Sequence, residues 1–76
     1  MDPQTAWQQM VSAVAGADWE EAIEFADSLR QWLQRGGFPP QTLLGHEMPP
    51  EWNHEVALAA CWFVLSQANQ LAKEAS

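Results

Sequence analysis

Residues 18–37, DWEEAIEFADSLRQWLQRGG, decide the fold class. At about 100° per residue, Trp19, Ala22, Ile23, Phe25, Ala26, Leu29, Trp32 and Leu33 fill roughly half the circumference of a helix. Glu20, Glu21, Glu24, Asp27, Ser28, Gln31, Gln34 and Arg35 fill the other half. Arg30 alone falls among the apolar residues. Asp18 followed by Glu21 is a capping-box pattern, with Asp in place of Ser or Thr. The acids crowd the first half and the two arginines the second, as the helix dipole favours. Gly36-Gly37 is a stop signal. The pattern predicts an amphipathic helix over 18–35.

Working toward the N-terminus, Asp2-Pro3 is a cap followed by proline at the first helical position. Trp7, Met10, Val11 and Val14 recur at helical spacing and form one narrow apolar stripe. Gly16 is the natural stop, so a helix is predicted over 3–15. Trp7, Trp19 and Leu33 are expected to meet near the middle of the core, with Trp32 and Phe25 at its edge.

Working toward the C-terminus, residues 36–49 are rich in Gly and Pro, yet carry Phe38, Leu43, Leu44 and Met48. A flexible linker would lack those apolar side chains. An ordered loop packed on the helices is expected, with one helical turn from Pro40 to Leu44. A third helix follows over 50–75, with prolines at its start and Lys73 near its end. Its centre is apolar on every side. Ala57, Ala60, Cys61, Val64 and Ala68 form a small face; Trp52, Val56, Ala59 and Phe63 a second; Leu58, Trp62 and Leu65 a third. A helix apolar all round normally sits at a buried centre. The other two helices are expected to cover about two of its sides. The side centred on Trp62 is left for the loop or for another chain. The architecture expected is all-α, a three-helix bundle with a long ordered loop between the second and third helices, in one helical domain over 1–76.

Composition narrows the function classes. The chain has 76 residues, a formal net charge of −7, five Trp and one Cys. A lone Cys excludes a disulfide framework. Three basic residues cannot build a nucleic-acid-binding patch, so no nucleic-acid partner is expected. The longest apolar run, Val56 to Leu65, is too short for a bilayer, which needs about 20 residues. No membrane partner is expected. The N-terminus shows no secretory pattern, so a complete small reading frame and a cytoplasmic protein are expected.

Several constellations bear on chemistry. Glu51-Trp52-Asn53-His54 places a carboxylate and an imidazole on one helix face, the spacing that paired copies use in di-iron bundles, and supplies the alternative of a metal-binding helical oligomer that uses Glu51 and His54. It sits in a first helical turn, where Glu51 and Glu55 are also favoured by the dipole. Cys61 lies on the small apolar face, where a thiol is inert. Glu20, Glu24 and Asp27 line the polar face of the second helix and supply the alternative of an acidic inhibitor or nucleic-acid mimic. Six acids sit at helix starts, where they stabilise the fold regardless of any partner. The reading preferred on sequence is a non-enzymatic interaction module without a cofactor. It binds itself or another protein through Trp62, Phe63, Leu58 and Trp52.

Overall fold

The computed structural model describes the backbone of residues 1–75 and the side chains of residues 1–71. Asp2 starts the first helix, α1 (Pro3–Ala15). One of its carboxylate oxygens accepts from the Gln4 amide at 3.1 Å, the other from the Thr5 hydroxyl at 2.7 Å. The Thr5 hydroxyl is the main reason that the Asp2 carboxyl sits below its ordinary pKa.

α1 stops where expected, with Gly16 at its C-cap, but the left-handed residue is the next one. Gly16 keeps φ −89°, and Ala17 takes the left-handed conformation at φ +57°. The Ala17 N–H donates to Val14 O at 3.0 Å and the Asp18 N–H to Ala13 O at 2.8 Å, the paired bonds of a Schellman motif. Asp18 therefore closes α1 and also caps the next helix, its carboxylate accepting from the Glu21 N–H at 3.3 Å. That helix, α2 (Trp19–Gln34), ends in a second Schellman motif. Gly36 takes φ +88°; its N–H donates to Leu33 O, and the Gly37 N–H donates to Trp32 O. Gly37 is needed for a different reason: a Cβ there would lie 2.4 Å from the Trp32 ring.

The third helix is α3 (Pro50–Ala75). The Lys73 side chain, expected to favour its C-terminus, lies outside the described residues. His54 Nε2 lies 3.2 Å from Leu33 O, and the Arg30 guanidinium lies over the Trp62 ring at 5.6 Å. Together these contacts set α3 antiparallel to α2. The chain is all-helical, with no strand among the described residues. No described helix is long and apolar enough to cross a membrane.

Bundle-like packing joins α1 to α2 and α2 to α3, whereas α1 and α3 barely meet. The centre is thus α2, not the all-apolar α3 that the sequence pattern favoured. The reason is side-chain size. The buried face of α2 is Ala22, Ala26, Leu29 and Leu33; it meets Ala6, Met10 and Ala13 of α1 and Ala57, Cys61 and Val64 of α3. Alanine and cysteine faces let helix axes approach closely, and interaxial distance follows the residues at the contact. Close axes leave no room for indole rings between them, so the large side chains spread to the flanks.

Two expectations change accordingly. On α1 the stripe Trp7, Met10, Val11, Val14 was expected inward; only Met10 is buried, while Val11 is 45% exposed. All five Trp keep partial exposure, and Trp19 and Leu33 stand at opposite ends of α2, so the expected meeting of Trp7, Trp19 and Leu33 in the core does not occur. Trp7, Trp19 and Trp32 pack against the core from outside.

The loop is docked by hydrogen bonds more than by apolar burial. The Gln4 side chain pairs with the Gln41 backbone, accepting from its N–H at 2.8 Å and donating to its carbonyl at 3.2 Å. Asn53, 2% exposed on α3, accepts from the Thr42 N–H and hydroxyl and donates to Met48 O and Gln41 Oε1. These bonds explain why the expected helical turn at 40–44 is absent. The amides of Gln41 and Thr42 go to side chains of α1 and α3, and Pro39 and Pro40 have no N–H to give. Residues 36–49 instead reach a turn closed by the His46 N–H on Leu43 O, with Gly45 at φ +81°. Two apolar loop residues are more exposed than expected, Leu44 fully and Phe38 by 68%, although the Phe38 ring meets Trp32 edge-on and Met48 is half-buried.

Candidate functional site: an uncharged apolar face

Every charged residue of the chain lies outside two stretches, 3–17 and 56–72. The first is α1 with its turn; the second is the body of α3. The fold sets these two uncharged segments side by side on α2. Because they diverge, an open groove of about 260 Å³ runs between them, lined by Trp7, Met10, Val11 and Val14 from α1 and by Ala60 and Phe63 from α3. A wider cleft of about 700 Å³ separates α1 from the loop tip and shares Trp7 and Val11 with the groove. Its other wall includes Leu43, Leu44 and His46. The two hollows form one continuous surface along α1, with Glu47 at the rim.

The four residues singled out on α3 do not form one patch. At about 100° per residue, Leu58 and Trp62 fall on one flank of the buried Ala57–Cys61–Val64 line, Trp52 and Phe63 on the other. Phe63 is 55% exposed and lines the groove; Trp52 is 46% exposed. Leu58 is half-buried against the core. Trp62 is 49% exposed, and neither the loop nor any other segment seals it. What it does have is Arg30. Nη2 of Arg30 donates to Asp27 and Nη1 to Gln34, both at 2.7 Å, which holds the guanidinium above the ring. The one charge on α2's apolar arc is there to meet an aromatic face, a cation–π contact worth about 0.5–1 kcal/mol when exposed. Arg30 also holds the Asp27 carboxyl below its usual pKa.

The remaining candidates are placed as follows. His54 directs Nε2 at Leu33 O, and its Nδ1 lies 3.9 Å from Glu55; Glu51 is exposed. Among the described residues no three of His, Cys, Asp or Glu converge as a metal set. Cys61 is fully buried, and burial pushes its thiol up to about 11, which suits packing and not nucleophilic attack. Glu20 and Glu24 are exposed on the outer face of α2, and Asp27 is engaged by Arg30 and Gln31.

Sequence patterning missed three parts of this surface. Val11 and Leu44 were read as inward because apolar residues were weighed without their size. Asn53 was passed over inside Glu51–His54. The signal that was available is the alanine spacing: Ala6 and Ala13, Ala22 and Ala26, and Ala57 mark the true contact lines.

Compared with known family models, curated proteins and solved structures, the chain matches none. Fold and surface define a class only: a small all-helical chain with one charge-free, partly concave apolar side.

Proposed function

We propose that this protein is a non-enzymatic interaction module that binds a second copy of itself. The contact is the uncharged face of α1 and the Phe63 flank of α3, with Trp52 at its margin. One observation carries this reading: the exposed aromatic and aliphatic side chains of the groove lie where the chain has no charge. Two copies at −7 repel, and they can approach only through faces free of carboxylates. A basic partner would instead be drawn to the acidic outer face of α2, away from the groove. Burying Phe63 and Val11 together would remove apolar surface of the kind that marks interfaces. Trp62, already beneath Arg30, contributes less.

Sedimentation over a range of concentrations tests this. The expected result is a mass that rises from 8.5 kDa toward twice that value. Phe63→Asp should weaken association by about tenfold or more, as loss of an interface anchor does, while leaving the helical circular dichroism unchanged. Added salt should strengthen the self-complex by screening repulsion, whereas it weakens a complex with a basic partner. A mass that stays monomeric at the highest attainable concentration removes the proposal.

A further inference from the structure

The wide cleft between α1 and the loop tip differs from the groove beside it in carrying polar groups and a charge. Its α1 wall is two rows at helical spacing, Trp7 with Val11 and Gln8 with Ser12. The first row is apolar and the second polar. Across from them stand Leu43, Leu44 and His46 of the loop, with the exposed carboxylate of Glu47 at the rim. Both walls are set before anything binds. One is a helix. The other is a loop pinned at Gln41 by Gln4, at Thr42 by Asn53, and at its turn by the His46 N–H on Leu43 O. At about 700 Å³ the cleft falls within the range of roughly 300–1,000 Å³ that small-molecule sites occupy.

We propose that this cleft binds a small organic cation with an apolar body, an aryl-alkyl amine in chemical class. Charge selects the class. Glu47 is the one carboxylate among the described lining residues, no lysine or arginine is among them, and the chain as a whole carries −7. That field draws a cation in and turns an anion away. Trp7 favours the same choice, because an indole ring buries hydrocarbon and its face attracts a cation. The fold already makes such a contact once, where Arg30 lies over Trp62. The polar row adds acceptors for an ammonium head, the side-chain oxygens of Gln8 and Ser12. The pinned loop lowers the ordering cost on binding. This site does not depend on self-association, although it shares Trp7 and Val11 with the groove.

Three probes with one aromatic body and different heads test the class: phenethylammonium, phenethyl alcohol and hydrocinnamate. Each is titrated into isotope-labelled chain, at a concentration where it sediments as a monomer, and followed by amide chemical shifts. The ammonium should bind about three- to tenfold more tightly than the alcohol, and the carboxylate most weakly. The shifts should centre on Trp7–Ser12 and Leu43–Glu47. Glu47→Gln should weaken the ammonium about two- to fivefold, the range of an exposed ion pair, and leave the alcohol unchanged. Val11→Lys, at a half-exposed helix position, puts a cation into the cleft. It should cost the ammonium about tenfold and admit the carboxylate, with circular dichroism confirming the fold. Added salt should bring the three affinities together. Equal affinities at low salt, or an ammonium indifferent to Glu47→Gln, overturn the cation class. Shifts confined to the acidic face of α2, or no saturable shift from any probe, overturn the site.

Discussion

Helices α2 and α3 exchange places: the sequence pattern puts α3 at the centre with α2 on its side, and the fold does the reverse. α2 has one apolar half and one acidic half, and both of its ends are closed by local hydrogen bonds. Its buried face is fully spent on its two neighbours. α3 is apolar around most of its middle, yet among its described side chains only the line Asn53, Ala57, Cys61, Val64 is buried. Its largest side chains, Trp52, Trp62 and Phe63, are all about half exposed. Apolar content therefore did not choose the centre of this bundle; the fit of small side chains did. The surplus apolar surface of α3 was then left for the flanks.

The contrast can be broken by matched truncations. Leu29→Ala on α2 removes a side chain with no exposure and should cost about 2–5 kcal/mol of stability, the range for buried leucines. Phe63→Ala on α3, although it removes a larger ring, should change monomer stability by less than about 0.5 kcal/mol. Urea unfolding at a concentration where the chain is monomeric measures both. Equal losses would mean that Phe63 is part of the core.

Asn53 is the polar exception on the buried line of α3, and it sharpens the comparison. Asn53→Ala leaves the Thr42 amide and the Met48 carbonyl without their partner. The expected cost is about 1–3 kcal/mol, the penalty for stranding buried polar groups. Amide exchange at Thr42 should accelerate at the same time. An unchanged exchange rate would show that the loop is held by something other than this side chain.

A gain, smaller than the losses at Leu29 and Asn53, is expected at the entry to α2. Ala17 adopts a left-handed conformation that costs a side chain about 1–2 kcal/mol, and glycine avoids it at some expense in unfolded-state entropy. Ala17→Gly should thus stabilise by a net of about 0.5–1 kcal/mol. In a chain of this size that raises the melting temperature by about 2–8 °C. A lower melting temperature would contradict the turn geometry.

Much of the fold was legible because its signals are local. Asp2 and Asp18 were recognisable as caps, and each accepts a backbone N–H within three residues of itself. The Gly-Gly stop of α2 also acts within one turn. Gly16 marks the stop of α1 correctly, as its C-cap, but a stop signal identifies only the turn; the hydrogen bonds to Val14 and Ala13 select Ala17 as the left-handed residue. The candidate surface was less legible. Trp52, Trp62 and Phe63 were expected to be exposed in part and are, but they were assigned to one surface, although the helical period alone puts Trp62 on one flank of the buried line and Trp52 and Phe63 on the other. Arg30 looked like an error in the pattern until Trp62, far away in sequence, was placed beneath it. Asn53 meets Thr42 and Met48 across a loop with no regular period, so no spacing rule announces the pair.

By itself, then, the sequence determined three helices, their caps, and the confinement of charge to α2, the loop, the first two turns of α3 and the chain ends. Each of these follows from interactions among residues a few positions apart. Only the tertiary structure decided that α2 is central, which side of α3 is buried, and that an uncharged groove opens beside α1. Those outcomes depend on how side chains from distant segments match in size, and hydrophobic periodicity carries no information about size.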